Sequence, residues 1–262
     1  MARHLEGGNF DTEVIQVGDT VRRTTGEWTP AVHALLAHLD QAGFDGAPRA
    51  LGVDEAGREV LSFLEGEVGR IPLPGFMRSD ATLAAVARML RRLHDATITF
   101  ASPVGARWRQ AATDPGPVEV VCHNDWGPHN AIFRSERLVG FIDWDFARPG
   151  SRLWDIAWAA LTWVPVRTDE HCQAEGWMDP PDRGRRFRLF CDAYGLLDRG
   201  GVLDAVRSRA IATGGWIEAG AAAGEEVFRR LAVEGHANSY RQDGEWIEAN
   251  RDWLTRALWS TA

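Results

Sequence analysis

Residues 118–158 constrain the fold of this chain more than any other stretch of its sequence. They contain two apolar runs that predict short strands, and each run is followed by polar residues that a packed core does not require. Five residues share this position: His123, Asp125 and Asn130 after the first run, and Asp143 and Asp145 after the second. Their placement favours a functional site at the ends of two strands.

The spacing of His123, Asp125 and Asn130 narrows the chemistry of that site. It reproduces the H-x-D-x-x-x-x-N loop of phosphoryl-transfer enzymes, in which the aspartate accepts the proton of the substrate hydroxyl and the asparagine holds Mg²⁺. The pattern therefore predicts Asp125 as the catalytic residue and Asn130 as a metal ligand, with His123 in a supporting role.

A hairpin is predicted between Asn130 and Asp143. The apolar segments AIF and LVGFI flank a turn at residues 135–137, and folding the second strand back would bring Asp143 beside Asn130. Magnesium binds through one or two carboxylates and the phosphates of the substrate, so this pair predicts a partial magnesium site. Asp145, two residues further along, would add another oxygen ligand.

Taken together, these elements resemble the aminoglycoside phosphotransferase and choline kinase superfamily. Its members share the H-x-D-x-x-x-x-N loop, an I-D-x-[DE] strand and a D-[IL]-A helix. The chain carries them in the same order and spacing: His123-Asn124-Asp125, Asn130, Ile142-Asp143-Trp144-Asp145 and Asp155-Ile156-Ala157. A turn and solvated loop acids would explain each element alone, but the joint match favours the family. The resemblance implies that Asp155 braces the catalytic loop through its backbone.

The same resemblance implies an α+β, two-lobed protein-kinase-like fold. A small N-terminal lobe with an antiparallel sheet would bind the nucleotide, and a larger, mostly helical C-terminal lobe would carry catalysis and the acceptor. We place the boundary near Gly66, which gives a nucleotide-binding lobe with its hinge at residues 1–66 and a catalytic lobe at residues 67–262. A chain of 262 residues is long enough for two lobes that share a cleft.

Composition excludes several classes of protein. The net charge of −8 argues against a nucleic-acid surface, and it suits a cationic substrate only weakly. No apolar run approaches the ~20 residues of a membrane span, and the polar N-terminus does not resemble a signal peptide. We therefore expect a cytoplasmic protein without a nucleic-acid or membrane partner. The cysteines lack metal-ligand spacing and are predicted to be reduced structural thiols: Cys122, Cys172 and Cys191.

All 29 basic residues are arginine, although a kinase fold normally holds the α and β phosphates with a lysine on its third strand. Alternation over residues 20–24 places Val21 and Arg23 on one face of a predicted strand. In the V-A-I-K pattern of kinases, Val21 corresponds to the adenine cover and Arg23 to the lysine, with Arg22 in reserve. Solvated arginines on an edge strand are the alternative. A guanidinium can bind phosphate through a bidentate fork, so the replacement is chemically acceptable.

The acidic partner of Arg23 cannot be assigned from the sequence. Members of the family usually supply a glutamate from the first helix, which is predicted between Thr29 and Gly43. The interior of that helix offers no glutamate, and its polar candidates are His33, His38 and Asp40. The ion pair that would orient Arg23 therefore stays open.

Two further nucleotide contacts follow from the resemblance. The strand predicted at residues 58–64 would carry the hinge, whose backbone binds adenine, so the candidates are Ser62, Phe63, Leu64 and Glu65. Gly7-Gly8-Asn9 lies where a phosphate-covering loop would be, but an ordinary hairpin turn explains it equally well.

The resemblance implies Mg²⁺-dependent transfer of the γ-phosphoryl of ATP or GTP to a hydroxyl of an aminoglycoside-like or other hydroxylated or amino-containing metabolite, with antibiotic resistance as one physiological role. Two alternatives stay open. The first is a nucleotide-binding pseudokinase, which is motivated by the missing lysine, the unassigned acid and the poor match to a glycine-rich loop. The second is a transition-metal hydrolase that would use His123, Asp125 and His129. The C-terminal helices carry no motif that identifies the acceptor, and the oligomeric state is not predicted.

Overall fold

The computed structural model describes residues 2–5, 13–109 and 113–260, so the Gly7-Gly8-Asn9 turn lies outside the described residues. The first sheet is antiparallel, with strand order β1-β2-β3-β5-β4. Its strands are β1 (Ala2–Leu5), β2 (Val14–Val17), β3 (Thr20–Arg23), β4 (Ala50–Val53) and β5 (Glu59–Ser62). A tight turn joins β2 to β3, and Gly18 takes the positive φ of 62° that this turn needs.

One helix accompanies this sheet: α1 (Thr29–Gln41). Its apolar residues recur at helical spacing and are buried, namely Val32, Leu35, Leu36 and Leu39. Gly43, with a φ of 73°, follows the end of the helix in the left-handed conformation that favours glycine. The N-terminal part of the chain is therefore an antiparallel sheet with one packed helix.

The chain leaves the first sheet after Ser62 and enters a second one at once. The remaining strands are β6 (Glu67–Val68), β7 (Val120–Cys122), β8 (Ala131–Arg134), β9 (Arg137–Phe141) and β10 (Arg148–Gly150). Strands β6, β8 and β9 form one sheet, and β7 pairs with β10. At Gly66 the backbone passes so close to the carbonyl of Phe133 that a Cβ would collide with it. The division of function at residue 66 stays a prediction.

The hairpin predicted after Asn130 is confirmed. Strands β8 and β9 pair antiparallel, and their turn residues Ser135 and Glu136 both have positive φ, 49° and 60°. Two consecutive positive φ values match the twist of a tight hairpin. The end of β9 is thereby returned to the catalytic loop that precedes β8.

The rest of the described chain is mainly helical. Its helices are α2 (Asp80–Thr97), α3 (Arg152–Thr162), α4 (Asp169–Ala174), α5 (Arg183–Tyr194), α6 (Val202–Ala222), α7 (Glu226–Val233), α8 (His236–Ala249) and α9 (Arg251–Trp259). One continuous apolar core joins α1, α2, the β8–β9 hairpin and α3. Among the described residues, no helix combines the length and the apolar character needed to cross a bilayer. The three cysteines are free and buried, as predicted.

Candidate active site

Asp155 on α3 fixes the backbone of the catalytic loop. Its Oδ2 accepts a hydrogen bond from the N–H of His123 at 2.7 Å, and its Oδ1 accepts one from the N–H of Asn124 at 2.8 Å. Nε2 of His94 lies 3.3 Å from the same carboxylate. Burial raises the pKa of Asp155, but these hydrogen bonds and nearby histidines outweigh it and leave the pKa below its ordinary value. The bracing contact expected of Asp155 is present.

His123 ties the loop to the end of β9. Its Nδ1 accepts a hydrogen bond from the N–H of Asp125 at 3.2 Å, and its Nε2 lies 3.1 Å from the carbonyl oxygen of Ile142. Both contacts are satisfied when the proton is on Nε2. Burial lowers the pKa of His123, which favours this neutral form. The imidazole therefore connects the catalytic loop to the end of β9.

Asp125 and Asn130 are joined by their side chains. The amide nitrogen of Asn130 donates to Oδ2 of Asp125 at 2.9 Å and to the carbonyl of Asp125 at 3.0 Å. Because the nitrogen is engaged there, the amide oxygen of Asn130 is the atom left to bind a cation. The carbonyl of Asn130 accepts the N–H of Ile142 at 2.9 Å, so Asp143 directly follows a residue bonded to both His123 and Asn130.

This donor set fits magnesium. An amide oxygen from Asn130 and carboxylate oxygens from Asp143 are hard ligands, and they supply a partial cage that substrate phosphates would complete. Asp143 takes a left-handed conformation with a φ of 59°, which is uncommon outside glycine but tolerated by aspartate. The structure thus brings Asn130 and Asp143 to the same end of the hairpin.

His129 is a contact of Asp125 that the spacing did not predict. Its Nε2 lies 3.1 Å from Oδ2 of Asp125, and its side chain is 55% exposed. Burial raises the pKa of Asp125, but the charge and hydrogen bond of His129, followed by His123 and Asn130, lower it below its ordinary value. Asp125 is therefore ionised at neutral pH.

The hydrolase alternative loses support in this geometry. His123 is buried with both ring nitrogens in hydrogen bonds, so it would have to break one of them to bind a metal. A second cluster, His94, Cys122 and Asp155, has ligand atoms within 4.8 Å of one another. Its polar atoms are already bonded to Tyr194, to the carbonyl of Ser151 and to the catalytic loop, so it is a buried structural network.

Arg23 contacts three carboxylates. Its Nε donates to Glu59 and its Nη2 to Asp145, while Nη1 lies 3.1 Å from Oδ1 of Asp143. Glu59 is directly opposite Arg23 in the β3–β5 ladder, and Nε2 of His33 lies 2.9 Å from its other oxygen. The acid that the sequence left open is therefore Glu59 on a neighbouring strand, and α1 contributes a histidine to it.

The neighbouring Arg22 is directed elsewhere. Its Nε lies 3.6 Å from Asp54, and Nη1 donates to the hydroxyl of Thr20. Alternation along β3 thus separates the two arginines, and the one at the acids is Arg23. Val21 shares the face of Arg23 and pairs with the buried Leu61.

The hinge donors are only partly available. The N–H of Ser62 donates to the carbonyl of Arg49 at 2.9 Å, and the N–H of Phe63 donates to the carbonyl of Asp19 at 2.8 Å. These two donors already serve the N-terminal sheet. Backbone N–H contacts to adenine would therefore have to come from Leu64 and Glu65.

An antiparallel sheet lobe above a helical lobe, with this loop and these acids at their junction, defines the class of kinase-like phosphotransferases. The model of the phosphotransferase enzyme family matches residues 103–188. The trifolitoxin immunity protein of Rhizobium leguminosarum bv. trifolii is 38% identical over 208 residues, which span 76% of this chain and 77% of that protein. The chain belongs to this phosphotransferase family.

Solved structures agree on the fold. A choline/ethanolamine kinase family protein from Mesorhizobium loti superposes with a TM-score of 0.65 at 18% identity, over 99% of this chain and 93% of that one. The macrolide 2'-phosphotransferase MphH from Brachybacterium faecium gives 0.59 at 18% identity, over 91% of each chain. ADP-bound aminoglycoside phosphotransferase APH(2'')-Ib gives 0.59 at 14% identity, over 94% of each. The predicted two-lobed fold is confirmed.

Proposed function

We propose that this protein is a Mg²⁺-dependent kinase that transfers the γ-phosphoryl of ATP or GTP to a hydroxyl of a small molecule. The observation that carries the proposal is the connected set of Asp125, Asn130 and Ile142–Asp143. One hydrogen-bonded unit presents a carboxylate base and two hard oxygen donors at the junction of the lobes.

Asp125 is assigned the role of orienting the acceptor hydroxyl and accepting its proton. Its lowered pKa keeps it ionised, so it can accept a hydrogen bond from an alcohol. A carboxylate with a low pKa is a weak base, but the transition state of phosphoryl transfer is loose and depends mainly on positioning. The rigid loop backbone, held by Asp155, serves that purpose.

The nucleotide contacts are assigned to the other predicted residues. Asn130 and Asp143 would hold Mg²⁺, which when bound neutralises charge on the β and γ phosphates. Arg23 contacts Asp143 and Asp145 and would steady the phosphates that are not transferred. Val21 would cover adenine, and the hinge at residues 62–65 would bind its edge, with the N–H donors supplied by Leu64 and Glu65. Asp145, which contacts two arginines, is assigned to their orientation.

The names of relatives guide the choice of acceptor. The relative at 38% identity is named for immunity to a toxin, and neighbours of the fold are named for macrolide and aminoglycoside phosphorylation. We propose that the acceptor is a hydroxyl-bearing toxin or antibiotic. Among the acids of the C-terminal helices, Asp243 is fully buried and bonded to His171 and the N–H of Thr168, so it is not an acceptor ligand.

The test is an acceptor screen with a matched blank. Nucleotide consumption and the mass of a phosphorylated product are measured for toxins, aminoglycosides, macrolides and amino alcohols. Asp125→Asn keeps the shape of the site and should bind Mg²⁺–nucleotide normally, while turnover falls by about 10²–10⁴-fold because the proton acceptor is lost. Full turnover by Asp125→Asn would refute the assigned role.

The pseudokinase alternative is supported by the three carboxylates already bound to Arg23. A protein of that kind would show nucleotide-dependent thermal stabilisation with no product from any acceptor. A phosphorylated product that disappears in Asp125→Asn would exclude it.

A further inference from the structure

A second arginine reaches the acids of the cleft. Arg109 comes from the loop between α2 and β7, and its Nη1 lies 3.1 Å from Oδ2 of Asp145. Oδ1 of the same carboxylate accepts a hydrogen bond from Arg23. Each oxygen of Asp145 therefore faces a different arginine, one from the sheet lobe and one from the helical lobe.

The guanidinium of Arg109 contacts two aromatic rings. Its Cζ lies 4.5 Å from the ring centroid of Trp28 and 4.7 Å from that of Phe146. A cation over an aromatic face is attracted by the quadrupole of the ring, so both rings stabilise the guanidinium in this position. Arg109 is only 20% exposed, so its position is restricted.

These rings belong to different lobes. Trp28 immediately precedes α1, and a Cβ on Gly26 would collide with its ring, so the indole rests on the glycine backbone. Phe146 lies in the short turn that follows Asp143. We refer to residues 143–146, which follow β9 and include the proposed ligand Asp143, as the metal-binding loop. Arg109 therefore connects the start of α1 with this loop.

The contact continues into the C-terminal helices. Phe146 packs edge-on against Trp216 of α6 with ring centroids 5.5 Å apart, and Trp216 packs against Phe228 of α7 at 4.7 Å. A continuous series of contacts therefore runs from the sheet lobe through the metal-binding loop to the helices of the C-terminal lobe: Trp28, Arg109, Phe146, Trp216 and Phe228.

Arg109 offsets negative charge in the cluster of acids around Arg23. Glu59, Asp143 and Asp145 all contact Arg23, so one guanidinium faces three carboxylates. The ion pair with Arg109 offsets part of the charge of Asp145. With Asp145 held from the other side, the orientation of Arg23 is fixed by Glu59 and Asp145 together.

We propose that Arg109 is a positioning residue for nucleotide binding. It holds Asp145 so that Arg23 is directed at the phosphates, and its stacking on Trp28 keeps the sheet lobe against the metal-binding loop. The inference rests on the proposed kinase function. In that family the first helix usually supplies a glutamate that orients the basic residue of the strand, and here Arg109 contributes to the orientation of Arg23 instead.

The test compares three variants of the full-length protein. Arg109→Gln removes the charge, Arg109→Lys keeps the charge without the planar fork, and Arg107→Gln is the matched control. Arg107 lies in the same loop and pairs with Glu27 at 2.7 Å, but its side chain is 69% exposed. Binding of Mg²⁺–ATP and Mg²⁺–GTP is measured by calorimetry, together with KM for nucleotide and acceptor, kcat and Tm.

Arg109→Gln should raise the nucleotide Kd and KM on the order of tenfold and leave the KM for the acceptor unchanged, because a partly desolvated ion pair and two cation–π contacts are lost. Arg109→Lys should recover part of that affinity, and Arg107→Gln should bind as the wild type does. If Arg109→Gln does not fold, Trp28→Leu removes one of the two cation–π contacts without changing the charge, and it should also raise the nucleotide Kd.

Two results would overturn the inference, and the first of them leaves the proposed function intact. An unchanged nucleotide Kd in Arg109→Gln, or in Trp28→Leu where that variant carries the test, refutes the positioning role while the kinase assignment stands. An unchanged nucleotide Kd refutes the positioning role even when Tm and kcat both fall, because lower stability and turnover without a change in nucleotide affinity indicate a structural role alone. A wild-type protein that binds no Mg²⁺–nucleotide overturns the proposed function and the inference together.

Discussion

At the scale of single residues, the contacts of Arg23, which is proposed to stand in for the kinase lysine, separate an arginine from a lysine. The three nitrogens of the Arg23 guanidinium each contact a different carboxylate: Nε with Glu59, Nη1 with Asp143 and Nη2 with Asp145. A planar guanidinium donates hydrogen bonds in fixed directions and can contact three acids at once, whereas an ammonium is a compact point charge on a flexible stem. The arginine is therefore adapted to this cluster of acids, and lysine is not its equivalent here.

Arg23→Lys should accordingly weaken nucleotide binding. We expect the Kd for Mg²⁺–nucleotide to rise by about tenfold, because the lysine can no longer hold Glu59 and Asp145 at once. Arg22→Lys is the matched control, since Arg22 is on the opposite face of β3 and contacts Asp54. Titration calorimetry on both variants checks this. Nucleotide affinity equal to the wild type in Arg23→Lys would show that the simultaneous contacts of Arg23 with three acids are not needed for nucleotide binding.

At the scale of elements, α3 and the β8–β9 hairpin assemble the site from two sides. The helix supplies Asp155, whose two oxygens hold consecutive backbone N–H groups of the catalytic loop. The hairpin returns Ile142 to the loop, where its N–H and its carbonyl bond Asn130 and His123. A loop fixed at both ends keeps Asp125 in place.

Asp155→Asn should be less stable than the wild type at neutral pH by about 1–3 kcal/mol, because an amide can accept only with one of its two arms and leaves a buried N–H without its partner. The pKa of Asp155 is lowered in the fold, so its contribution is fully present above the unfolded value of about 3.9 and is lost as the pH falls through the folded value. The difference between variant and wild type should therefore shrink in acid.

Urea unfolding of both proteins between neutral and acidic pH measures this difference. Asp252→Asn, an exposed aspartate on α9, is the control and should be indistinguishable from the wild type throughout. A difference for Asp155→Asn that stays constant down to the acid limit would contradict the assigned titration of Asp155.

At the scale of the whole molecule, one apolar core and several polar contacts join the two lobes. Arg23 contacts Asp143 and Asp145 across the cleft, and Arg109 contacts Trp28. A ligand that binds across this junction would add contacts to both lobes. Linkage then requires that binding stabilises the folded state.

Mg²⁺–nucleotide at 100 times its Kd should stabilise the protein by about 2.7 kcal/mol and raise its Tm accordingly. Asp125→Asn should show the same shift, because its side chain is assigned to the acceptor hydroxyl. Asp143→Ala should show little or none, since it lacks the carboxylate assigned to the metal. Thermal unfolding with and without Mg²⁺–nucleotide measures all three, and a full shift in Asp143→Ala would remove Asp143 from the metal site.

Much of this protein was determined by its sequence alone. The spacing of His123, Asp125, Asn130, Asp143 and Asp155 gave the resemblance to the family, and the bracing of the loop followed from that resemblance. Two apolar runs around a turn predicted the hairpin. These signals are available in the sequence because they depend on short-range order along one segment. Alternation on β3 separated Arg23 from Arg22 for the same reason, since the period of a strand is local.

Only the tertiary structure decided which side chains meet from distant segments. Glu59 faces Arg23 because of the register between β3 and β5, and Arg109 reaches Asp145 while its guanidinium packs on Trp28. Strand register and loop packing are set by burial and charge summed over the whole fold, and residues 36 or more apart carry no local signal of their contact. For that reason the arginine could be predicted from the sequence, whereas the acid and the second arginine that orient it could not.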